Sequence, residues 1–224
     1  MTKTWFVAGT DTGVGKTAVS CGLLAAAAQS GLRTAAVKPV AAGCDENGQN
    51  EDALSLQAAM TETLDYSQVN PVALNAAVAP HIAAGLEGKR MQANRLAGLC
   101  RGVMLGGADF VLIEGAGGWR VPINARETLA DLAMALQVGV ILVVGMRLGC
   151  INHALLTAEA IRRDGLQLAA WVANQPGPRM EYHQENLDTL RQLLPAPLLG
   201  DIPFLPKWQA RDLAGHLGID LLTQ

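Results

Sequence analysis

The chain has few cysteines, little net charge and no long hydrophobic run. Its 224 residues include four cysteines without a C-x-x-C pair, which speaks against a disulfide framework and a structural metal site. The formal net charge of −3 speaks against a nucleic-acid partner. The longest apolar runs, such as residues 138–144, are too short to cross a membrane, and no signal peptide precedes the first predicted strand. We therefore expect a cytoplasmic protein that binds neither nucleic acid nor a membrane.

Half of the residues are hydrophobic, and apolar strand patterns alternate with helical patterns along the chain. This alternation is typical of an α/β fold with a doubly wound, mainly parallel sheet and helices on both faces, and the length suits a single domain over residues 1–224. Ligands of such sheets bind at the carboxyl ends of the strands. The stretch 64–90, which contains Pro71 and Pro80, receives no assignment. The predicted strands cover residues 5–8, 34–37, 110–113, 140–144, 169–173 and 198–202, and the predicted helices cover residues 16–30, 51–60, 92–105, 127–136, 150–164 and 181–193.

A glycine-rich segment, GTDTGVGKT over residues 9–17, connects the first predicted strand to the first predicted helix. This strand–loop–helix context is typical of a phosphate-binding loop and indicates a P-loop NTPase type of fold. Gly15 would let backbone N–H groups surround a β-phosphate, Lys16 would reach the β and γ oxygens, and the Thr17 hydroxyl would ligate Mg²⁺. Gly9 stands one residue earlier than the strict pattern requires, and the alternative is an ordinary glycine-rich turn.

Three charged residues follow predicted strands or open a helix near the same edge of the sheet. Lys38 ends the second strand, where it would neutralise a phosphoryl group, or else lie on the surface as an ordinary lysine. Asp52 opens a helix, either as a partner of the helix dipole or as a magnesium ligand. Glu114 ends an apolar strand, as a Walker B acid does, and burying it without a functional partner would be costly.

Two further positions have both a functional and an ordinary interpretation. The helix that begins after Gly149, with Cys150, Ile151 and Asn152, offers free N–H groups to a carboxylate, or is a helix start without a ligand. Asn174 ends a strand, where its amide would contact a nucleotide base or stabilise a turn.

Taken together, these motifs resemble the dethiobiotin synthetase family over nearly the whole chain. The resemblance implies an ATP-dependent ligase of biotin biosynthesis that converts 7,8-diaminopelargonate, CO₂ and MgATP into dethiobiotin, ADP and phosphate. It also implies a homodimer whose substrate binds near the subunit interface. The matching segments are residues 9–17 (GTDTGVGKT), 38–40 (KPV), 114–119 (EGAGGW), 143–153 (VVGMRLGCINH), 171–174 (WVAN) and 195–203 (PAPLLGDIP).

The resemblance also assigns expected roles to individual residues of this chain. Lys38 and Lys16 are the expected catalytic residues, and Thr17, Asp52 and Glu114 the expected magnesium ligands. The residues expected to bind the nucleotide and its Mg²⁺ are Gly13, Val14, Gly15, Lys16, Thr17, Ala18, Asp52, Glu114, Gly115, Ala116, Gly117, Asn174, Gln175, Pro203, Phe204 and Leu205. The residues expected to bind the diamine are Thr12, Lys38, Ala42 and Gly118, together with Cys150, Ile151 and Asn152 at its carboxylate, which the neighbouring subunit contributes.

The sequence departs from the family pattern at two positions. Family members often have Glu where this chain has Gly13, and a residue with a hydroxyl where it has Ala42. Both departures concern diamine binding. The ATP-binding motifs match the pattern more fully.

Two other classes of P-loop protein share the phosphate-binding loop. ATPase switches of the partitioning or metallocluster-maturation type carry a lysine at the position of Asp11, and this chain also lacks their basic surface or membrane helix. The ATPase half of a tetrapyrrole amidotransferase would require a glutaminase domain, for which we expect no room in 224 residues. The synthetase interpretation is therefore preferred.

Overall fold

The computed structural model describes residues 2–223, and its centre is a parallel sheet of six strands in the order β2-β5-β1-β6-β7-β8. A second, two-stranded parallel sheet pairs β3 with β4. The strands are β1 (Lys3–Gly9), β2 (Thr34–Val37), β3 (Val40–Ala42), β4 (Val72–Leu74), β5 (Phe110–Gly118), β6 (Gly139–Gly145), β7 (Leu168–Asn174) and β8 (Leu198–Ile202). The helices are α1 (Lys16–Gln29), α2 (Glu51–Ala59), α3 (Tyr66–Val69), α4 (Pro80–Leu86), α5 (Ala93–Met104), α6 (Leu129–Leu136), α7 (Cys150–Arg163), α8 (His183–Leu193), α9 (Ala210–Ala214) and α10 (Asp220–Thr223).

The central strands of the large sheet are mainly apolar because helices cover both of its faces. Every residue of β6 from Val140 to Gly145 is buried, as is every residue of β2. A continuous apolar run of this kind is typical of a central parallel strand. The predicted fold class, a mainly parallel α/β sheet with helices on both sides, is confirmed.

The order of the strands creates a crevice at one edge of the sheet. The chain leaves β1 through α1 toward β2 on one side, whereas it leaves β6 through α7 toward β7 on the other side. Where successive connections diverge in this way, a crevice opens at the carboxyl ends of the strands. The loops after β1, β2, β5, β6 and β7 all begin at this edge.

The predicted strands and helices are all present, with ends that differ by a few residues. The helix expected to begin at 127 begins at Leu129, because the Thr128 N–H donates to Asp131 Oδ2 at 2.6 Å in a capping box. The helix expected to begin at 181 begins at His183, because Tyr182 has a left-handed backbone conformation. Strand β5 continues to Gly118, beyond the predicted end at 113.

The segments that the sequence pattern left unassigned contain short elements. Strand β4 and helices α3 and α4 lie within residues 64–90, and α9 and α10 follow the last strand. Ala42 is the last residue of strand β3, where it pairs with Leu74 of β4. These elements contain three to seven residues, which is too short for hydrophobic periodicity to reveal them. Across residues 2–223, none of the helices is both long and apolar enough to cross a bilayer.

Candidate active site

The loop between β1 and α1 is held against the end of β7. Asn174, the last residue of β7, is buried and donates from Nδ2 to the carbonyl oxygen of Val14 at 2.8 Å. Gly15 has a φ of 85°, and a Cβ atom at this position would collide with Asn174 Nδ2. Only glycine therefore fits. Helix α1 begins after Gly15 without a side-chain cap and without an acidic residue in its first turn, so its N–H groups remain available to an anion.

Lys16 extends from the start of α1 across the opening of this loop. Its Nζ donates to the carbonyl oxygen of Gly117 at 2.7 Å and to that of Asp11 at 3.2 Å. Burial lowers the pKa of Lys16 to about 8, although the nearby Glu114 carboxylate favours the charged form. The ammonium group is therefore poorly solvated, and a phosphate anion would stabilise it.

A buried cluster of charged side chains lies behind the loop. Lys38 Nζ is 2.7 Å from Glu114 Oε1 and 2.6 Å from Asp52 Oδ2, and Thr17 Oγ1 donates to the same Glu114 oxygen at 2.8 Å. Glu114 is wholly buried and Lys38 nearly so, whereas Asp52 is half-exposed at the cleft. The predicted proximity of these side chains at the edge of the sheet is therefore observed in the structure.

Mutual attraction keeps Lys38 and Asp52 charged. Burial alone would lower the pKa of Lys38, but the Glu114 and Asp52 carboxylates outweigh it and raise the pKa above the ordinary value. Burial disfavours the Asp52 carboxylate, yet the Lys38 ammonium lowers its pKa below the ordinary value. Lys38 is therefore a cation at neutral pH, suited to charge stabilisation and not to general base catalysis.

The same cluster has the chemistry to hold a magnesium ion. Glu114 Oε2 is buried and has no hydrogen-bond partner among the described residues, so one oxygen of this carboxylate remains available to a cation. Within residues 2–223, no group of three or more His, Cys, Asp or Glu side chains forms a metal site. A Mg²⁺ ion would thus depend on Thr17, Asp52 and Glu114 together with phosphate oxygens, the usual arrangement for this cation.

A cleft of about 730 Å³ opens above the phosphate loop and the charged cluster. It includes most of the residues expected at the phosphates and the diamine. Those residues are Thr12, Gly13, Gly15, Lys16, Thr17, Ala18, Lys38, Ala42, Asp52, Ala116 and Gly117. A second cleft, of about 820 Å³, lies between α4 and the loop at residues 123–127 and contains no residue of the phosphate loop.

The residues expected around the nucleotide base are neighbours at the ends of β7 and β8. The N–H of Gln175 donates to the carbonyl oxygen of Ile202 at 3.0 Å, and Pro203, Phe204 and Leu205 follow directly. These residues do not line the cleft of about 730 Å³. The amide nitrogen of Asn174 instead donates a hydrogen bond to the phosphate loop. The sequence did not reveal this structural role.

The start of α7 lies away from the cleft of its own chain. Cys150 is buried, Ile151 is partly exposed and Asn152 is exposed. No side chain caps this helix, and its first turn contains no acidic residue. None of the three residues lines the cleft, so in the single chain they are not brought together with Lys38.

Several residues at the cleft were missed by the sequence analysis. Asn50 caps α2 by accepting from the N–H of Asp52 at 3.1 Å, and it donates to the carbonyl oxygen of Ala42 at 3.3 Å. Its position just before a helical pattern was a detectable N-cap signal. Trp208 and residues 77–80 also line the cleft, but they come from segments without a recognisable pattern. Arg147 forms an ion pair with Asp11 beside the loop.

Comparison with known proteins identifies close relatives over the whole chain. A family model described as an AAA domain matches residues 3–211. The ATP-dependent dethiobiotin synthetase BioD of Cellvibrio japonicus is 57% identical over 220 residues, which are 97% of this chain and 96% of that protein. The proteins of the same name from Marinobacter nauticus and Yersinia pestis are 55% and 48% identical, over 96% and 99% of this chain and 93% and 96% of theirs.

Solved structures resemble the fold at low sequence identity. The cell division protein MinD of Aquifex aeolicus superimposes with a TM-score of 0.56 at 14% identity, covering 99% of this chain and 86% of MinD. The signal recognition particle receptor FtsY of Elizabethkingia anophelis gives a TM-score of 0.56 at 14% identity. The match covers all of this chain but only 66% of FtsY. These likenesses show a P-loop NTPase fold, and the sequence relatives show that the chain belongs to the ATP-dependent dethiobiotin synthetase family.

Proposed function

We propose that this protein carboxylates 7,8-diaminopelargonate with CO₂ and closes the ureido ring at the expense of ATP, releasing dethiobiotin, ADP and phosphate. The observation that carries the proposal is the buried Lys38 ammonium between Glu114 and Asp52, at the wall of a cleft that also contains a phosphate-binding loop. This arrangement concentrates positive charge where phosphoryl transfer develops negative charge. The family membership supplies the class of reaction.

The reaction proceeds in three steps whose atoms balance. One amine of the substrate attacks CO₂ and loses a proton, which gives a carbamate. A carbamate oxygen attacks the γ-phosphorus of ATP, the bond to the β-phosphate oxygen breaks, and ADP leaves. The second amine attacks the carbonyl carbon of the mixed anhydride, loses a proton and expels phosphate as the ring closes. No protein nucleophile takes part, so the protein contributes orientation and charge.

Lys16 and Lys38 stabilise different negative charges in the reaction. Lys16 and the free N–H groups of α1 hold the phosphates, because both point into the loop opening. Lys38 stabilises the carbamate and the transferred phosphoryl group, and its raised pKa keeps it cationic. Thr12 and Ala42 face the same cleft and contact the diamine, and Gly118 follows Gly117 at the end of β5.

Thr17, Asp52 and Glu114 would hold Mg²⁺ when MgATP binds. The ion would supply further positive charge against the phosphate oxygens. The unpartnered Glu114 Oε2 supports this assignment, because a buried carboxylate oxygen without a donor is stabilised by a cation. Gly115, Ala116 and Gly117 lie next to Glu114 and let the phosphates approach the backbone.

The base of ATP binds at the ends of β7 and β8. Asn174, Gln175 and the segment 203–205 lie side by side there, and the bond from Asn174 to Val14 connects them to the phosphate loop. We further propose that the whole chain acts as one catalytic domain in the cytoplasm. The family match over residues 3–211 and the four free cysteines support this view.

The active protein is a homodimer in this proposal. Cys150, Ile151 and Asn152 do not line their own cleft, and the free N–H groups of α7 suit the carboxylate of a substrate held by a second copy. Light scattering should give a mass near twice 23.5 kDa.

A mixing experiment tests the shared site. Lys38→Met subunits mixed with Asn152→Glu subunits, whose added carboxylate competes with the substrate for the free N–H groups of α7, should recover about one quarter of wild-type activity, because random pairing leaves one intact site in half of the dimers. No recovery, with both variants dimeric, would contradict a site shared between subunits.

Product analysis tests the proposed reaction. Incubation with the diamine, bicarbonate and MgATP should yield dethiobiotin by mass spectrometry, and phosphate release should require both the diamine and bicarbonate. Phosphate release without product, stimulated instead by a protein or DNA partner, would favour the ATPase-switch alternative. The fold likeness to MinD does not favour that alternative, since it is limited to 14% identity.

A further inference from the structure

The buried His183 and the partly exposed Asp201 form a pair at the ends of β7 and β8 that has no role in the chemistry above. His183, the first residue of α8, is 1% exposed at its side chain, and its Nε2 is 2.8 Å from Asp201 Oδ2 in β8. A carboxylate only accepts hydrogen bonds, so His183 Nε2 carries the hydrogen and donates it. The other ring nitrogen, Nδ1, has no hydrogen-bond partner within residues 2–223, so the ring is oriented by its hydrogen bond to Asp201 and by packing.

Both ends of the loop between β7 and α8 meet at Asp201. At its start, Gln175 donates from Nε2 to Asp201 Oδ1 at 3.4 Å, and its N–H donates to the neighbouring Ile202 carbonyl oxygen. At its end, His183 donates to the second oxygen of the same carboxylate. The Asp201 carboxylate therefore holds the two ends of the loop at residues 175–182 together. No side chain caps α8, so its first residue depends on this contact for its position.

The Asp201 carboxylate also determines the orientation of the Gln175 side-chain amide. An amide group placed beside an acceptor presents its NH₂ to that acceptor, so its carbonyl oxygen is directed elsewhere. Gln175 is 7% exposed, which leaves little freedom for the side chain to turn over. The neighbouring Asn174 contacts the phosphate loop through Val14, so both amides at the end of β7 have fixed orientations.

We infer that His183 and Asp201 are a positioning pair for the base end of the nucleotide site. The pair holds Gln175 in one orientation and joins it to β8, two residues before the segment 203–205. The inference rests on the proposed function, which assigns Gln175 and residues 203–205 to the base. It predicts that removing the pair weakens binding of the base while the phosphate loop, fastened by Asn174, keeps its affinity for phosphates.

The test compares two ligands that share phosphates but not a base. Titration calorimetry measures the Kd of ADP and of inorganic tripolyphosphate, at the same Mg²⁺ concentration, for the wild type, His183→Met and His183→Gln. His183→Met should raise the Kd of ADP about tenfold, the effect of roughly one well-placed hydrogen bond, and leave that of tripolyphosphate within about twofold. His183→Gln retains a donor at a similar reach and should restore most of the ADP affinity.

Two further variants keep the test decisive. Asp188→Ala removes an exposed carboxylate from the same helix and should change neither Kd. If His183→Met does not fold, Asp201→Asn should reproduce the selective loss of ADP affinity, because the similar-sized amide offers one acceptor oxygen where Gln175 and His183 require two. Equal weakening of both ligands, or unchanged ADP binding in the folded variants, would overturn the inference. A wild type that binds neither ligand would instead contradict the proposed function.

Discussion

Replacing Glu114 with glutamine separates the electrostatic role of this residue from its structural role. The amide oxygen of Gln can accept the hydrogen bonds that Glu114 Oε1 accepts from Lys38 Nζ at 2.7 Å and Thr17 Oγ1 at 2.8 Å. Lys38 also retains its ion pair with Asp52 at 2.6 Å, so it is not left as an unpaired buried charge. The substitution thus removes one wholly buried negative charge and replaces the unpartnered Oε2 with an NH₂ group.

The expected change in stability is small and the expected change in rate is large. Loss of a buried partner costs about 3–5 kcal/mol when a charge is left unpaired, but the remaining Asp52 limits the cost to less than about 2 kcal/mol. A domain with about 5–15 kcal/mol of stability remains folded after such a loss. If Glu114 helps hold the charge balance of phosphoryl transfer, kcat should fall by about a hundredfold to a thousandfold, or roughly 3–4 kcal/mol of barrier.

Denaturant unfolding measures the change in the free energy of unfolding, and phosphate release in the presence of the diamine and bicarbonate measures the change in kcat. Glu127→Gln is the matched control, because one oxygen of Glu127 also accepts two hydrogen bonds, from Asn124 and the Ala93 N–H, outside the cleft. The control should lose some stability and keep its kcat. A Glu114→Gln variant with a kcat within about tenfold of the wild type would refute the reasoning.

Three further predictions concern the two lysines and Ala42. Lys38→Met should lower kcat by at least about a hundredfold, measured by phosphate release, and change the Kd of ADP, measured by calorimetry, by less than about tenfold. A loss of ADP affinity as large as the loss of kcat would assign Lys38 to nucleotide binding. Because burial lowers the pKa of Lys16 to about 8, the free protein loses this proton as the pH rises above 8, and bound phosphates favour its return. ADP binding should therefore take up a fraction of a proton that increases between pH 7.5 and pH 8.5, measured by calorimetry in buffers of different ionisation enthalpy, and an uptake that does not increase over this range would contradict the role of Lys16. Ala42→Ser, which adds a hydroxyl at the cleft, should lower the KM of the diamine by about twofold to tenfold and leave the KM of ATP unchanged; an unchanged or raised KM of the diamine would show that another group already fills this role.

The large sheet and the proximity of Lys38 to Glu114 could both be predicted from the sequence, for the same physical reason. Long apolar runs identify buried parallel strands, and residues that follow such strands meet at one edge of the sheet. Lys38 and Glu114 could therefore be placed together before their contact was seen. That Lys38 bridges Glu114 and Asp52 could not be foreseen, because it depends on side-chain conformations and on the start of α2.

Other features depend on tertiary contacts that leave no local pattern. Strand β3 and its partner β4 are three residues each, so neither is among the predicted strands. The bond from Asn174 to the Val14 carbonyl joins residues 160 positions apart. Trp208 reaches the cleft from the segment before α9, where hydrophobic periodicity gives no signal. The roles assigned to the site residues remain predictions for the experiments above.

Transfer of isotopic oxygen tests most directly the claim that the cleft directs phosphoryl transfer onto a substrate carbamate. The protein is incubated briefly with the diamine, MgATP and freshly dissolved CO₂ labelled with ¹⁸O, before exchange with water removes the label. The carbamate oxygen that attacks the γ-phosphorus leaves with phosphate, so each phosphate should carry one ¹⁸O, and the ureido carbonyl of dethiobiotin should carry the other. Phosphate without label, formed together with labelled dethiobiotin, would contradict the mixed anhydride.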